Sequence, residues 1–268
     1  MPEGDTIHRV AGRLRPALAG RTLVAFEAPR LVGDRPRPGT RIDGVEAVGK
    51  HLLVHFDDGL TLQTHLRMTG SWHLYRTGER WQKSAHLARA RLEVEGWVAV
   101  CFAAPVVRTY RRDAPGGPLG RDRDPVAHLG PDLCRADLTD ADIDECVARM
   151  ATVGDPGDEI GAVLLDQRVA CGVGNVYKSE VLFTCGVDPF TPVGRLDAAT
   201  RRRLITTASR QLRANLGSGP RETVPGGVAV YGRRGRPCLR CGTTVRRTLQ
   251  GEQARSTYWC PTCQPQRL

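Results

Sequence analysis

The last thirty residues constrain the fold most, because they contain two pairs of closely spaced cysteines. Cys238 and Cys241 form one Cys-x-x-Cys pair, Cys260 and Cys263 form the other, and eighteen residues separate the pairs. Zinc in structural sites takes four tetrahedral ligands, and a two-residue gap lets one tight turn supply two thiolates. The spacing therefore predicts one structural Zn2+. A disulfide pair is the alternative, and the lack of a secretion signal at the start of the sequence disfavours it.

Two short strands are predicted between the cysteine pairs. Residues 245–249 and 256–259 have the composition of strands, and a turn at residues 250–252 joins them. The segment 233–268 is therefore predicted to be a β-hairpin zinc ribbon.

The positive charge of the chain is concentrated in its last quarter. The net charge is +10, and residues 201–268 contain fourteen arginines against two acids, Glu222 and Glu252. That quarter therefore carries +12 and the first 200 residues carry −2. A basic field on one part of a chain is typical of a protein that binds a polyanion, and ordinary solvated surface charge is the alternative.

The first half of the sequence predicts a helix followed by many strands. Apolar residues recur at helical spacing over residues 5–20, with Asp5 or Thr6 as the cap and Pro16 as a kink or an early end. Short strand-like runs follow at 22–26, 45–48, 52–56, 60–65, 71–75, 90–94 and 97–102. Regular turns between short strands favour an antiparallel β-sandwich, which we assign to residues 1–112.

The second half predicts helices. A Pro/Gly-rich connector is expected over residues 113–130, and a helical domain over residues 131–232 with helices near 139–150, 158–168, 176–185 and 197–216. The fold class is therefore α+β. No run of eighteen apolar residues occurs and the start lacks a signal-peptide pattern, so we expect a cytoplasmic monomer that does not enter a membrane.

Two segments contain residues that could carry out chemistry at a sugar. Removal of Met1 would expose the secondary amine of Pro2, which can attack an aldehydic carbon and form a positively charged iminium, with Glu3 beside it as an acid or base. Lys50 follows a glycine and enters an apolar strand, so its charge could point into a site. The alternative is that Lys50 is an ordinary surface lysine at a strand end.

Two further segments could contact nucleic acid. Met68 lies in the polar turn 67–71, where an exposed apolar side chain could wedge into a base stack, although it could instead fold into the core. Asn175 follows a glycine-rich turn at a predicted helix start, where free backbone N–H groups suit a phosphate. The alternative is an ordinary turn between helices with Asn175 as the helix cap.

Together these segments resemble one protein family over essentially the whole chain. The sequence is similar to bacterial DNA glycosylases of the formamidopyrimidine-DNA glycosylase/endonuclease VIII family. The matching segments, in chain order, are Pro2-Glu3-Gly4, Gly49-Lys50-His51-Leu52, His65-Leu66-Arg67-Met68-Thr69-Gly70, Leu164-Leu165-Asp166-Gln167, Gly172-Val173-Gly174-Asn175-Val176-Tyr177, Val230-Tyr231-Gly232-Arg233 and the cysteine pairs with Tyr258-Trp259. The ordered set is far more specific than any single segment.

The resemblance implies a bifunctional DNA glycosylase/AP lyase that acts on damaged double-stranded DNA. Pro2 would be the nucleophile, Glu3 would transfer protons at the sugar, and Lys50 would assist at the sugar or its phosphate. Asn175, in a helix–two-turn–helix element, and Arg255, in the ribbon, would bind phosphates. Met68 would fill the space of the extruded base, whose extrusion costs a few kcal/mol.

The motifs do not all point to the same branch of the family, and the branch determines which damaged bases are expected as substrates. The purine branch carries an Arg-Arg-Phe-Gly stretch in the region where residues 103–108 read Ala-Ala-Pro-Val-Val-Arg. This difference favours the endonuclease VIII branch, which acts on oxidised pyrimidines. Met68, however, matches the purine branch. The family's second N-terminal glutamate is also missing, since Asp5 and Thr6 stand there. A purine-directed glycosylase, a non-catalytic lesion-binding protein, and a zinc ribbon on an unrelated enzyme are the alternatives.

Overall fold

The computed structural model describes residues 2–111 and 124–266, in two compact units, Met1–His128 and Leu129–Leu268. Residues 113–123 of the predicted connector lie outside the described residues, as does Met1. The domain boundaries predicted at residues 112, 131 and 233 stay predictions.

The first unit begins with helix α1, Gly4–Leu18, which buries an apolar face formed by Ile7, Ala11, Leu14 and Leu18. Its N-cap is Glu3, so the prediction of Asp5 or Thr6 as the cap is wrong. Pro16 lies in the last turn of the helix, where the loss of its N–H disturbs few helical bonds.

Within residues 2–111, eight strands follow α1 and form two antiparallel sheets. One sheet has the order β1-β6-β7-β5 and the other has the order β2-β3-β4-β8. The strands are β1 Leu23–Glu27, β2 Ile42–Val48, β3 His51–Phe56, β4 Leu60–His65, β5 Ser71–Arg76, β6 Ala88–Val94, β7 Trp97–Phe102 and β8 Val106–Arg111. One apolar core contains residues of both sheets and of α1, as the predicted β-sandwich requires.

Within residues 2–111, strand β8 is the one strand that was not predicted from the sequence. It pairs with β4 from Leu60 opposite Arg111 to His65 opposite Val106. Its Val-Val-Arg-Thr-Tyr-Arg sequence has high strand propensity, but no clear turn signal separates it from the preceding loop.

Over residues 129–266, the second unit has four α-helices around its own core. They are α2 Asp140–Thr152, α3 Ile160–Val163, α4 Asn175–Cys185 and α5 Ala198–Ala214. Thr139 and Asp142 form a capping box at α2, and the Asp197 side chain accepts a hydrogen bond from Thr200 N at α5. These capping interactions explain why the sequence located both helix starts correctly.

Helix α3 is much shorter than the predicted helix over residues 158–168. After it, side chains form local hydrogen bonds that compete with helical ones. Asp166 accepts from Arg168 N (2.9 Å), while Gln167 donates to the carbonyls of Leu165 and Val173 and accepts from Gly172 N. The segment therefore turns back toward the start of α4.

The ribbon hairpin consists of β9, Arg246–Gln250, and β10, Arg255–Trp259, in an antiparallel pair that begins with Gln250 opposite Arg255. Gln250 thus belongs to a strand, although the sequence analysis placed it in the turn. The fold class is confirmed: α+β, with a helix and antiparallel sandwich, a helical domain and a β-hairpin ribbon. Over residues 2–111 and 124–266, no helix is long and apolar enough to cross a membrane.

Candidate functional site

The amino-terminal segment places Pro2 and Glu3 at the start of α1. Pro2 is partly buried and Glu3 is fully buried. The backbone of Glu3 is extended, and its carbonyl accepts hydrogen bonds from Thr6 N (3.0 Å) and Ile7 N (3.2 Å). This capping fixes Glu3 at the N-terminal end of the helix, where the helix dipole favours a negative charge.

The carboxylate of Asp5, which is also fully buried, is used within the first turn. It accepts hydrogen bonds from Thr6 N (2.7 Å) and Thr6 Oγ1 (3.2 Å), and it lies 3.8 Å from the guanidinium of Arg9. Through these contacts Asp5 stabilises the start of α1.

Lys50 lies in the tight turn between β2 and β3 and is partly buried. Gly49 before it has a φ of +57°, a conformation that favours glycine. Burial is the largest cause that lowers the pKa of His51 to about 3 and that of His65 to about 4, and nearby charges, Lys50 among them for both rings, contribute to the same lowering. Both imidazoles are therefore neutral near pH 7. Lys50 thus has two uncharged imidazole rings near it, those of His51 and His65.

A hydrogen-bond relay orients one of these imidazoles. Arg108 Nε donates to Gln63 Oε1 (2.5 Å), which turns the Gln63 amide so that its Nε2 donates to His51 Nδ1. His51 must then carry its proton on Nε2. The ring of His65 lies 4.8 Å from that of His51. Sequence reasoning missed this relay, because its members lie on three strands and no local motif contains them.

Met68 lies on the turn between β4 and β5 and is 65 % exposed, so the alternative that it folds into the core is wrong. Arg67 before it has a φ of +45°, which is uncommon for a residue with a Cβ. The turn is held by Gly70 N donating to Leu66 O (2.9 Å) and by Thr69 Oγ1 donating to Ala103 O (3.0 Å). The structure thus presents an apolar side chain to solvent on a constrained turn.

Asn175 is the first residue of α4, and Gly174 is its N-cap, so the alternative of Asn175 as a cap is wrong. Asn175 is only 8 % exposed, and within the described part of the chain its Oδ1 has no hydrogen-bond partner. A buried amide oxygen without a partner is costly, and Asn175 lies where helix N–H groups attract anions.

Two buried charged residues of α4 organise the rest of this unit. Lys178 Nζ donates to Thr257 Oγ1 (2.6 Å) and to Ser256 O (3.2 Å) in β10. Glu180 accepts hydrogen bonds from the backbone N–H groups of Ala229, Val230 and Tyr231 at 2.7–2.9 Å. Helix α4 therefore holds both the ribbon and the segment before it.

Arg255 begins β10 and is exposed. Its Nε and a terminal nitrogen donate to Gln253 Oε1 at 3.1 and 2.8 Å. Among residues 2–111 and 124–266 no carboxylate pairs with it, so its full charge is directed to solvent. Ala254 before it has a φ of +48°, the second such residue beside a predicted DNA contact.

The four predicted zinc ligands come together at the base of the hairpin. All four Sγ atoms lie within 4.8 Å of one another, with 3.9 Å between Cys238 and Cys263 and 3.4 Å between Cys241 and Cys260. A zinc tetrahedron with bonds of ~2.3 Å has sulfur–sulfur edges of about 3.8 Å, so the set fits one Zn2+. The separations exceed a disulfide bond of about 2.05 Å, and the disulfide alternative is wrong. Zinc, when bound by these four thiolates, cross-links the two cysteine pairs of the ribbon.

Pro2-Glu3 directly before α1, an antiparallel sandwich, and a helical unit that carries a four-cysteine ribbon are the features that the resemblance to the DNA glycosylase family predicts. Three family models match consecutive parts of the chain: the formamidopyrimidine-DNA glycosylase N-terminal domain over residues 1–106, its H2TH domain over residues 129–223, and the zinc finger found in FPG and IleRS over residues 235–266.

Individual relatives agree with these models. The chain is 43 % identical to the probable endonuclease 8 2 of Streptomyces coelicolor, covering 98 % of this chain and 94 % of the relative, and 36 % identical to the DNA-(apurinic or apyrimidinic site) lyase Nei2 of Mycolicibacterium smegmatis, covering 98 % and 99 %. The chain belongs to the formamidopyrimidine-DNA glycosylase/endonuclease VIII family, as its motifs predicted.

Solved structures show the same fold. The MutM (FPG) protein of Thermus thermophilus superposes with a TM-score of 0.75 at 31 % identity, covering 100 % of each chain. Lactococcus lactis formamidopyrimidine-DNA glycosylase, bound noncovalently to DNA containing an AP site, superposes with a TM-score of 0.80 at 21 % identity, covering 99 % of this chain and 100 % of that one.

Proposed function

We propose that this protein is a bifunctional DNA glycosylase/AP lyase that removes oxidised bases, with pyrimidines preferred, and cuts the strand at the resulting abasic site. The observation that carries this proposal is the placement of Pro2 directly before the buried Glu3 at the N-terminal end of α1. Relatives named endonuclease 8 2 and Nei2, at 36–43 % identity, support the lyase and the branch.

The chemistry starts from the amine of Pro2, once Met1 has been removed. Its nitrogen attacks C1′ of the damaged nucleotide, the C1′–N bond to the base breaks, and the base leaves with a proton. The base takes the proton that the Pro2 nitrogen loses. Opening of the sugar at C1′–O4′ then gives an iminium, and Glu3, in its acid form, donates a second proton to O4′. The iminium then acts as an electron sink: loss of a C2′ proton breaks the C3′–O bond and releases the phosphate.

The remaining residues hold the DNA. Asn175, with its buried amide at a helix start, and Arg255, with its uncompensated charge, suit phosphates of the backbone. Lys50 suits the sugar or phosphate at the lesion. Met68, exposed on a constrained turn, suits the space of an extruded base in double-stranded DNA. We further expect a monomer that acts in the cytoplasm.

A non-catalytic lesion-binding protein is the second candidate, and it is distinguished by covalent chemistry. Incubation with a duplex that contains an abasic site or an oxidised pyrimidine, followed by borohydride, should give a covalent protein–DNA adduct in the wild-type chain. Absence of the adduct from protein whose Met1 is shown by mass spectrometry to be removed would overturn the glycosylase/lyase. Parallel duplexes with oxidised purines test the lesion preference, since faster excision of purines would contradict the pyrimidine assignment.

Arg255→Ala is expected to weaken binding to duplex DNA about tenfold at ~0.1 M salt, because one charge-assisted hydrogen bond to phosphate is lost. The slope of log Kd against log salt should fall by about 1, equally for all sequences. Fluorescence anisotropy at several salt concentrations measures both. Arg213→Ala removes one exposed arginine from α5 as a control for net charge, and equal effects of the two variants would argue against a specific phosphate contact.

A further inference from the structure

A buried amide lies at the end of the ribbon hairpin farthest from the four cysteines. Gln250 is the last residue of β9, pairs across the hairpin with Arg255, and is only 6 % exposed. Its Nε2 donates to Glu159 Oε2 (2.9 Å) and to Pro189 O (2.8 Å), and its Oε1 accepts from Thr257 Oγ1 (2.7 Å). Every hydrogen-bonding atom of this amide is therefore engaged.

These partners connect the hairpin to the helical part of the unit. Glu159 is the N-cap of α3, and Pro189 lies in the segment after α4. Pro189 O accepts from Gly161 N as well (3.0 Å), while Thr257 receives the hydrogen bond of the buried Lys178. Gln250 thus joins β9, β10 and two segments that flank α3 and α4.

The backbone of α3 is built to let this amide approach. A Cβ added at Gly161 would lie against Gln250 Oε1 and 2.7 Å from its Nε2. Gly161 has ordinary helical geometry within α3, so space, and not backbone conformation, requires a glycine there. The contact therefore depends both on Gln250 in the hairpin and on the absence of a side chain at Gly161 in α3.

The zinc site alone does not fix this end of the hairpin. Arg255 lies five positions before Cys260, which corresponds to about 17 Å of strand. The tip between the strands contains two left-handed residues, Gly251 and Ala254, and Arg255 follows directly. Lys178 holds Ser256 and Thr257 on β10, and Gln250, opposite Arg255, holds the end of β9.

We infer that Gln250 is a positioning residue: it anchors the hairpin tip to the helices of its unit and thereby fixes the direction of the Arg255 guanidinium toward the DNA backbone. Gln250 itself does not contact DNA in this arrangement. The inference rests on the proposed function for the role of Arg255, but the anchoring of the tip is independent of it.

Gln250→Glu keeps the size of the side chain and replaces the Nε2 donor by an oxygen. This oxygen faces two acceptors, Glu159 Oε2 and Pro189 O, so both hydrogen bonds are lost and the groups repel each other. Thr248→Glu places the same charge two residues earlier, at an exposed position of β9, and is the matched control. Gly161→Ala displaces the amide from the opposite side without changing the ribbon or any charge. All three variants should retain one zinc per chain and a trappable adduct.

We expect amide hydrogen exchange at residues 251–255 to accelerate at least about tenfold in Gln250→Glu and Gly161→Ala, and to stay unchanged in Thr248→Glu. Both anchor variants should weaken DNA binding about as much as Arg255→Ala and lower the salt slope by about 1. In the Arg255→Ala background they should cause little further loss, because positioning has value only while Arg255 is present.

Unchanged exchange at the tip would overturn the anchor. If Gln250→Glu or Gly161→Ala weakens DNA binding in the Arg255→Ala background as much as in the wild type, Gln250 does not act by positioning Arg255. Failure of the wild-type chain to form a borohydride adduct would instead defeat the proposed lyase, and the exchange data would still decide whether Gln250 holds the tip.

Discussion

Replacing Pro2 by glutamine is expected to abolish the borohydride-trapped adduct and the lyase activity, with DNA binding changed less than about threefold. A large second residue prevents removal of Met1, so the terminal amine moves by one residue, about 3.5 Å. A misplacement of only 1 Å can cost a hundredfold in rate, and the nitrogen at position 2 becomes a non-nucleophilic amide. We therefore expect a fall of at least about a thousandfold in single-turnover cleavage of an abasic duplex.

Pro2→Ala is the matched control, because a small second residue still permits removal of Met1 and leaves a primary amine at the same position. It should retain a trapped adduct, formed more slowly than in the wild type, since an imine of a primary amine must gain a proton before it becomes an electron sink. Mass spectrometry of both variants establishes where each chain begins. Trapping by Pro2→Gln at the wild-type rate with Met1 present would remove Pro2 from the mechanism.

Much of the fold is encoded locally and could be predicted. The zinc ribbon follows from the spacing of four cysteines, and the starts of α2 and α5 follow from Thr139 and Asp197, whose side chains cap them. Where side chains form local hydrogen bonds instead, prediction fails: the helix expected to residue 168 ends at Val163, because Asp166 and Gln167 bind nearby backbone groups.

The candidate site divides in the same way. The motif residues, such as Pro2 and Met68, are visible because the family pattern keeps them in order along the chain. Gln250 and the relay from Arg108 through Gln63 to His51 are not visible, since each includes a distant partner: Arg108 lies 45 residues from Gln63, and Glu159 lies 91 residues from Gln250. A glutamine in a strand looks like a surface residue until the chain folds and buries it, and only a polar residue at an inward strand position would have hinted at such a role.

Removal of zinc is expected to unfold the ribbon while the helices of the same unit remain. Zinc contributes roughly 10–16 kcal/mol to such sites, far more than the small core of the ribbon can supply. That core contains two of the zinc ligands and Phe183, whereas α2, α3 and α5 pack in a separate cluster. Cys260→Ser should lose its zinc, retain most helical circular dichroism, and bind duplex DNA at least about a hundredfold more weakly, because the ribbon arginines no longer converge on the backbone.

Cys185→Ser supplies the control for loss of a thiol, since Cys185 is partly buried at the end of α4 and is not a member of the four-cysteine cluster. It should keep one zinc per chain and wild-type affinity. The salt slope separates the possible outcomes: loss of Arg255 alone lowers it by about 1, whereas loss of the whole ribbon should lower it by about 2 or more, because Arg246 and Arg247 lie on the same hairpin. Metal-free protein that keeps the wild-type slope would show that DNA binding does not depend on the ribbon, and that the zinc has a role only in stability.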